Sequence, residues 1–301
     1  MCGVVGIIGK KNASSLVLEG LKKLEYRGYD SAGIASFYQK SIQVAKSEGK
    51  LVNLINKVND LTKDNLYYDS SIALGHTRWA THGNINVKNA HPLTSENRVA
   101  VVHNGIIENY SSIKKTLESE GYVFTSQTDT EVLPHLFNKY LKKGHDFLQA
   151  GRLVLKDIRG AFAFVAICLD FPDQLFVSRN SSPLAIGLGE GSNFVGSDAQ
   201  SINHLTNKII YLEDGDYALI KVNNIEIFDN ESNKIDRKII NVQSELGLIT
   251  KGGYKHFMEK EIYEQPSVIP HTISSFINPK STIDIDLDKL GFSQKSSLII
   301  C

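Results

Sequence analysis

Cysteine is scarce in this sequence. Cys2, Cys168 and Cys301 are the only three among 301 residues, and they lie far apart in the chain. Three scattered thiols cannot form the disulfide framework of a small secreted domain, and they lack the spacing of a zinc site. We therefore expect a protein of the reducing cytoplasm that needs no metal and no other cofactor.

An excess of either charge is also absent. The 33 Lys and Arg residues balance 33 Asp and Glu residues, and neither sign forms a long block. The chain thus lacks the basic stripe with which proteins follow a nucleic acid or an anionic membrane surface. We expect no nucleic-acid partner.

Long apolar runs are missing as well. No window approaches the roughly 20 apolar residues that span a bilayer. The apolar run at the N-terminus is short, and Lys10 and Lys11 follow it, whereas the basic residues of a signal peptide come first. The sequence predicts a soluble chain with no membrane partner, and its 42% apolar residues can close a substantial core.

Short β-rich runs dominate what is present. Many are dense in Val, Ile and Phe and are separated by Gly, Asn or Asp, as in strands joined by short turns. This balance favours an α+β fold of antiparallel sheets covered by helices. The predicted strands are Val4–Ile8, Gly33–Tyr38, Ile72–Gly75, Val99–His103, Ala161–Leu169, Gln174–Val177, Tyr211–Leu212, Tyr217–Val222 and Ile225–Phe228. The predicted helices run from a cap at Asn12 or Ser14 to Leu24, over Tyr110–Glu120, and over Thr130–Lys143 with Pro134 near its first turn.

The amino-acid composition of the chain changes near residue 241. Gly252, Gly253 and three prolines punctuate a polar stretch that indicates a linker with pieces of helix. A new apolar run, Ser297–Cys301, then begins. We expect residues 2–240 to form one domain, and residues 241–301 to form a linker and the first strand of a further domain that this chain does not contain.

Cys2 is the strongest candidate for a catalytic residue. Removal of Met1 would place a free α-amine, with an ordinary pKa of about 7.7–8.0, on the residue that carries the thiol. A nucleophile and a general base would then share one residue. The alternative is a buried, inert cysteine, which is how free cysteines usually behave and how we interpret Cys168.

Three other short segments contain groups that could serve a substrate. Arg78, beside Trp79, could hold a carboxylate in bidentate fashion, or could make an ordinary surface contact. The Asn104 amide and the Gly105 N–H, at the end of a predicted strand, could form an oxyanion hole, or could be a plain Asn-Gly turn. Asp129 could cap a helix or bind a ligand ammonium.

Two tempting patterns are set aside. His76, His82, His91 and His103 have irregular spacing and no local set of acidic partners, so they do not predict a metal site. The glycine-rich stretch Gly187–Gly191 is not followed by Lys-Ser or Lys-Thr, so a turn between strands explains it better than a phosphate loop.

Taken together, five segments resemble the class II glutamine amidotransferases, enzymes of the N-terminal-nucleophile superfamily. They occur in that family's order and approximate spacing, and similarity extends over essentially the whole chain. Tyr26–Asp30 and the Lys260–Pro266 linker are similar to the glutamine:fructose-6-phosphate amidotransferase branch. The five segments are Cys2-Gly-Val-Val-Gly6, Glu25-Tyr-Arg-Gly-Tyr-Asp-Ser-Ala-Gly33, His76–Gly83, His103–Glu108 and Thr128–Glu131.

The resemblance implies a four-layer αββα sandwich and an enzyme that hydrolyses glutamine through a thioester on Cys2. It implies that Asn104 and Gly105 bind the oxyanion, and that Arg78 and Asp129 bind the substrate carboxylate and ammonium. Thr81 and His82 match further substrate-binding positions, and Trp79 matches a residue that gates an ammonia tunnel.

The sequence departs from this branch at its end, since relatives continue through two sugar-isomerase subdomains that bind fructose-6-phosphate. We therefore expect the ammonia-generating part of glucosamine-6-phosphate synthesis, in hexosamine metabolism, with glutamine as ligand. A separately encoded isomerase half or a homo-oligomer could complete it. Two alternatives stay open: a catalytically silent remnant or regulatory binding module, and another class II amidotransferase.

Overall fold

The computed structural model describes residues 2–9, 12–38, 40–63, 70–80, 83–242 and 254–274. The chain divides into two units, residues 1–247 and 248–301. The first unit holds two β-sheets and the helices that cover them, and the described part of the second holds one helix. Across these residues, no helix is both long and apolar enough to cross a bilayer.

Within the described residues, fifteen strands form two sheets, and all paired neighbours run antiparallel. The strands are β1 Gly3–Ile8, β2 Ser31–Tyr38, β3 Ser41–Glu48, β4 Ile72–Arg78, β5 Leu93–Ser95, β6 Val99–Ile107, β7 Gly160–Cys168, β8 Phe171–Asn180, β9 Ala185–Gly189, β10 Ser192–Gly196, β11 Lys208–Tyr211, β12 Tyr217–Ile220, β13 Ile225–Phe228, β14 Lys234–Ile235 and β15 Ile239–Asn241. Sheet A has the order β15-β11-β9-β10-β1-β4-β2-β3, and sheet B has the order β14-β13-β12-β8-β7-β6-β5.

Six α-helices occur in the same described residues. Asp146 and Gln149 form a reciprocal capping box at the start of the fifth, which satisfies two backbone N–H groups that would otherwise lack partners. The helices are α1 Ala13–Lys23, α2 Leu51–Lys63, α3 Tyr110–Ser119, α4 Val132–Lys142, α5 Phe147–Asp157 and α6 Phe257–Ser274.

The two sheets pack face to face, and strand alternation divides their side chains between three apolar layers. In β1, Val4 and Ile8 join the core between the sheets, whereas Val5 and Ile7 face the outer core of sheet A. In β7, Val165 enters the same central core, while other β7 side chains enter the outer core of sheet B. This period of two is what a strand buried on both faces requires.

Helices close the two outer faces. Side chains of α1 and α2, including Val17 and Leu54, cover sheet A. Side chains of α3, α4 and α5, including Leu117, Phe137 and Val154, cover sheet B. The layers therefore follow the order helices, sheet A, sheet B, helices, and the α+β sandwich expected from the sequence is confirmed.

Some predicted elements have different limits in the structure. The strands predicted at Ile72–Gly75 and Val99–His103 continue as β4 to Arg78 and as β6 to Ile107. The prediction at Tyr211–Leu212 is misplaced, because the strand there is β11, Lys208–Tyr211. Asn12 occupies the N-cap position of α1 but makes no capping hydrogen bond with its side chain.

Several elements escaped the sequence analysis altogether. The edge strand β3 contains many polar residues, so its apolar residues are too few to form a dense run. Helix α2 has apolar residues at the spacing of an amphipathic helix, a signal that the strand-rich interpretation left out. Helix α5 could have been predicted from the Asp146–Gln149 capping box. The hairpin between β9 and β10 turns at Glu190 and Gly191, where a turn was predicted.

Candidate active site

Cys2 lies immediately before β1, in the middle of sheet A. Strand β4 pairs with β1 so that Gly3 lies opposite Thr77, which brings the end of β4 alongside Cys2. The Trp79 backbone N–H donates to Cys2 Sγ at 3.2 Å, and the thiol lies 3.5 Å from the Trp79 carbonyl oxygen. The register of one strand pair thus fixes the position of the sulfur.

The environment of Cys2 favours the neutral thiol. Burial raises the pKa of the Cys2 thiol above its ordinary value, and the Trp79 N–H and the Arg78 charge offset only part of that rise. A thiol with a raised pKa is protonated at neutral pH, and the thiolate is the nucleophilic form. Any nucleophilic role of Cys2 therefore requires a base that removes its proton during the reaction.

Arg27 and Asp198 also support Cys2. Arg27 donates from Nη1 to the Cys2 carbonyl oxygen at 3.5 Å and forms an ion pair with Asp198. The Tyr26 hydroxyl donates to the same carboxylate at 3.2 Å. The sequence analysis quoted the Tyr26–Asp30 segment only for its resemblance and assigned no role to Arg27. The segment's unusual density of Tyr, Arg and Asp was the available signal.

Asn104 and Gly105 lie within β6, not beyond its end. They pair with Ala163 and Phe162 of β7, so both the plain-turn alternative and the expected position past the strand are wrong. Asn104 donates from Nδ2 to the Cys2 carbonyl oxygen at 3.3 Å. Its side-chain amide therefore reaches Cys2 across the gap between the sheets.

Glycine is required at position 105 for two reasons. Its φ of +119° is one that L-residues with side chains rarely adopt. An added Cβ would also lie 2.0 Å from the Ala161 carbonyl oxygen. Gly105 lines the same cleft as Cys2, so a strained backbone position coincides with the candidate site.

His76 fixes the orientation of the Asn104 amide. It belongs to β4 of sheet A, is fully buried, and places Nε2 at 3.0 Å from Asn104 Oδ1. Burial lowers the His76 pKa to about 3, so the ring is neutral. An amide oxygen can only accept, so Nε2 carries the proton and donates. This contact turns the Asn104 amino group toward Cys2.

Two further buried histidines, His91 and His103, lie next to His76. The His91 ring stacks on His76 with centroids 4.3 Å apart, and His91 Nδ1 accepts from the His103 backbone N–H at 3.3 Å. His103 Nδ1 lies 2.7 Å from Thr130 Oγ1. Burial lowers the pKa of His91 well below its ordinary value and that of His103 to about 4. The three rings are therefore neutral and serve as uncharged packing and hydrogen-bonding groups.

Arg78 is the last residue of β4, and its side chain is buried. Nη1 donates to the Asn84 carbonyl oxygen at 3.4 Å and lies 4.0 Å from Asp30 Oδ1. The same Asp30 carboxylate accepts from the Ala80 backbone N–H and from the Ser31 hydroxyl. Asp30, a second residue to which the sequence analysis gave no role, thus holds the turn that follows Arg78.

Asp129 is a buried carboxylate at the opposite side of the cleft. Its Oδ2 accepts from the Ile107 backbone N–H at 2.7 Å, just after Gly105 on the same strand. The short 3-10 turn over Asp129–Glu131 has Thr128 at its N-cap position with no side-chain cap, so the capping alternative for Asp129 is wrong. One oxygen of Asp129 is engaged by backbone, and the residue lines the cleft.

Trp79 stands at the mouth of the cleft. It is 53% exposed, and its ring packs over Gly28, where an added Cβ would lie 2.7 Å from the ring. The remaining two sequence candidates, Thr81 and His82, lie outside the described residues.

The structure therefore brings most of the sequence candidates to one cleft. The cleft is lined by Cys2, by the cation Arg78, by the carboxylate of Asp129 and by Gly105. The Asn104 amide contacts the carbonyl oxygen of Cys2. Among the described residues, no group of His, Cys, Asp and Glu could hold a metal ion. The cleft is lined by Cys2, Arg78, Trp79, His91, His103, Gly105, Thr128, Asp129 and Thr130.

Comparison with known proteins shows the family to which the chain is related. Residues 76–204 match the family model of the glutamine amidotransferase domain. Curated relatives named glutamine–fructose-6-phosphate aminotransferase (isomerizing) include that of Fusobacterium nucleatum, 47% identical over 95% of this chain and 46% of its own length. The relative from Acinetobacter baylyi is 47% identical over 92% of this chain and 44% of its own length. The chain spans about half the length of the curated relatives it matches.

Solved structures agree with the fold. The glutamine phosphoribosylpyrophosphate amidotransferase of B. subtilis, complexed with ADP and GMP, superposes with a TM-score of 0.64. It is 26% identical, and the match covers 77% of this chain and 50% of that one.

Proposed function

This chain belongs to the class II glutamine amidotransferases, and on that basis we propose that it hydrolyses the side-chain amide of glutamine through a thioester on Cys2. One observation carries the proposal. The thiol of Cys2 lies in a cleft with a cation, Arg78, and an anion, Asp129, while an amide donor, Asn104, contacts Cys2. A zwitterionic amino acid with an electrophilic amide needs those four groups.

The base in this proposal is the α-amine of Cys2, released when Met1 is removed. The amine takes the thiol proton, and Sγ attacks the amide carbon of glutamine. The amine then gives the proton to the amide nitrogen of glutamine. The C–N bond breaks, ammonia departs, and a thioester on Cys2 remains. Water attacks the thioester, the C–S bond breaks, and glutamate departs with the thiol restored. The raised pKa of Cys2 explains why the residue depends on such a base.

Asn104 and Gly105 would stabilise the negative oxygen of the tetrahedral intermediate. The Asn104 amino group donates to the Cys2 carbonyl oxygen, and the hydrogen bond from His76 keeps that amino group turned toward Cys2. Donors that are oriented before the reaction need no reorganisation when charge develops on the substrate oxygen.

Arg78 and Asp129 would select the substrate. Arg78 would take the α-carboxylate with its planar fork, and the Asp129 oxygens would accept from the α-ammonium. By resemblance, Thr81 and His82 would add contacts to the same substrate. Opposite charges on either side of the cleft disfavour ligands that lack one of the two groups.

The fate of the ammonia is a further part of the proposal. Trp79, half exposed at the cleft mouth, would gate its passage, as the resemblance implies. The acceptor would be fructose-6-phosphate, bound by a sugar-isomerase part joined to residues 2–240 through residues 241–301, or supplied by a separate chain or another copy. Helix α6 lies in that connecting stretch and exposes several apolar side chains, including Met258, Tyr263 and Ile269.

The first test joins mass spectrometry with an activity assay. We expect the intact mass to lack Met1, and we expect glutamine to yield equal amounts of glutamate and ammonia. Cys2→Ala should lower this activity to the uncatalysed background while leaving the thermal unfolding midpoint nearly unchanged. A glutamine-like electrophile should label Cys2 in the unsubstituted protein.

Cys168→Ala provides the matched control, since this thiol is fully buried in the outer core of sheet B. That variant should keep its activity and its labelling, and should lose stability because a small cavity replaces the sulfur. Full activity with Met1 retained would refute the amine base. A correctly processed protein that binds glutamine but releases no ammonia would favour a silent binding module.

A further inference from the structure

A second cavity, of about 270 Å³, opens beside helix α5 in the first unit. Its walls come from α5, the ends of β7, β8 and β12, and the loop after β13. None of the residues that line the Cys2 cleft lines this cavity. It is therefore a separate concave site, near the lower end of the volumes that small-molecule pockets usually have.

Positive charge dominates the lining. Four cationic side chains face this cavity, namely Arg152, Lys156, Arg159 and Arg179, and no lining residue is Asp or Glu. The chain as a whole carries equal numbers of both charges, so this concentration is a local feature. Arg152 and Lys156 lie at positions i and i+4 on one side of α5, and Arg159 follows two residues after the end of the helix.

Carboxylate partners compensate only one of these cations. Arg179 pairs with Asp214, and its Nε is buried with no hydrogen-bond partner. In the described ranges, Arg152, Lys156 and Arg159 form no ion pair. Arg159 donates instead to the backbone carbonyls of Lys156 and Ile158. Three of the four cations around this concave surface thus have no carboxylate partner among the described residues.

Arg152 is held in place before any ligand arrives. Its Nε donates to the Tyr217 hydroxyl at 2.8 Å, and its guanidinium lies 4.7 Å from the centre of the Phe228 ring. The contact with the aromatic faces adds cation–π attraction. A fixed guanidinium loses little side-chain freedom when it binds an anion, which favours binding.

We propose that this cavity binds the phosphate group of a small phosphate monoester. Planar guanidinium forks match phosphate oxygens in bidentate fashion, and lysine adds a compact charge. Ser178, Asn180 and Asn230 on the walls can contact hydroxyl groups, and Leu155 and Phe162 supply an apolar surface for the carbon skeleton. The volume suits a ligand of sugar-phosphate size and excludes a dinucleotide.

Titration calorimetry on the full chain tests this proposal with inorganic phosphate and glycerol 1-phosphate as probes, at constant ionic strength. We expect saturable binding of both, with glycerol alone inactive. The paired variant Arg152→Gln with Lys156→Gln should raise both dissociation constants at least about tenfold, since each charge-assisted contact is worth about that factor or more. Lys156→Gln alone should raise them about tenfold. In the part of the chain that the structure describes, the exposed Lys156 ammonium forms no ion pair, and the backbone carbonyl that accepts from Arg159 is kept in the variant.

A control variant removes the same charge elsewhere. Lys22→Gln with Lys115→Gln changes two exposed lysines of α1 and α3, and should leave both dissociation constants unchanged. Cys2→Ala should also bind normally, so that failure of the phosphate site and failure of the glutaminase remain distinguishable. No saturable binding, binding of inorganic phosphate without the monoester, or an equal loss in the control variant would overturn the proposal.

Discussion

The two sides of the Cys2 cleft are built differently. On sheet A, Cys2 and Arg78 occupy the ends of neighbouring strands, where the backbone of Trp79 and the Asp30 carboxylate hold them. On sheet B, Asn104 and Gly105 lie within β6, and both positions are paired with residues of β7. The groups of sheet A are thus held at strand ends by individual contacts, whereas the backbone of Asn104 and Gly105 is held by the ladder to β7.

His76 connects the two sides. It belongs to sheet A and contacts Asn104 of sheet B, so the proposed oxyanion donor is oriented by the sheet that carries the proposed nucleophile. The difference suggests a division of labour, in which sheet A presents the groups that react with or receive substrate and sheet B presents rigid donors. Changes on the two sides should therefore affect different kinetic constants.

The largest effect should come from the rigid side. Asn104→Ala should lower kcat for glutamine hydrolysis by about 10²–10³, the usual cost of one oxyanion donor, with a much smaller change in KM. Steady-state kinetics of the purified variant measure both constants. If KM rises and kcat stays constant, Asn104 binds the substrate ground state and its assignment to the oxyanion is wrong.

His76→Leu sharpens this test because it removes the hydrogen bond that orients the Asn104 amide. It should lower kcat in the same direction as Asn104→Ala but less, and the two changes together should cost no more than Asn104→Ala alone. His76→Gln, which can still donate to Oδ1, should recover part of the loss. Additive effects of the two substitutions would break the proposed connection between the sheets.

A smaller effect is expected on the sheet A side, at Arg78. Arg78→Lys keeps the charge but loses the bidentate fork, so KM should rise about tenfold with little change in kcat. Glutamine kinetics and direct binding of glutamate to the Cys2→Ala variant measure the loss. A loss confined to kcat would show that Arg78 acts on the transition state, and the contrast between the two sides would fail.

The smallest effect concerns stability and the three histidines. The folded pKa values of His76 and His103 are about 3 and about 4, and that of His91 is also lowered, against about 6.5 in an unfolded chain. The unfolded state therefore binds more protons below pH 6.5. The free energy of unfolding therefore has its full value above that pH, and it decreases as the pH falls, by about 1 kcal/mol per pH unit for each histidine.

Urea unfolding between pH 5 and pH 6.5 measures this slope before most carboxylates titrate. His91→Asn should lower stability at pH 7 and should make the slope shallower by about 1 kcal/mol per pH unit. Ser111→Asn, at an exposed position of α3, removes no titratable group and should leave the slope unchanged. An unchanged slope in His91→Asn would show that the buried ring is not the source of the pH dependence.

Apolar density predicts strands such as β1, β6 and β7 because it marks strands buried on two faces, but it does not predict β9 and β10, which lie inside sheet A. β1 and β7 were found almost to the residue. The polar edge strand β3 and the helices α2 and α5 were missed because their burial depends on what packs against one face. The strand limits mattered for the site, since Arg78 and Asn104 lie inside strands that the apolar pattern ended too early.

The sequence by itself determined which reactive side chains exist, their order along the chain, the balance of charge, and the strand-rich texture from which the α+β class follows. Only the tertiary structure decided that Asn104 contacts Cys2 across 102 positions, that His76 turns its amide, and that Arg27 and Asp30 support the site. The physical reason is that periodicity records the face on which a side chain lies. Strand register and the packing of one sheet on the other bring distant residues into contact, and no local pattern encodes them.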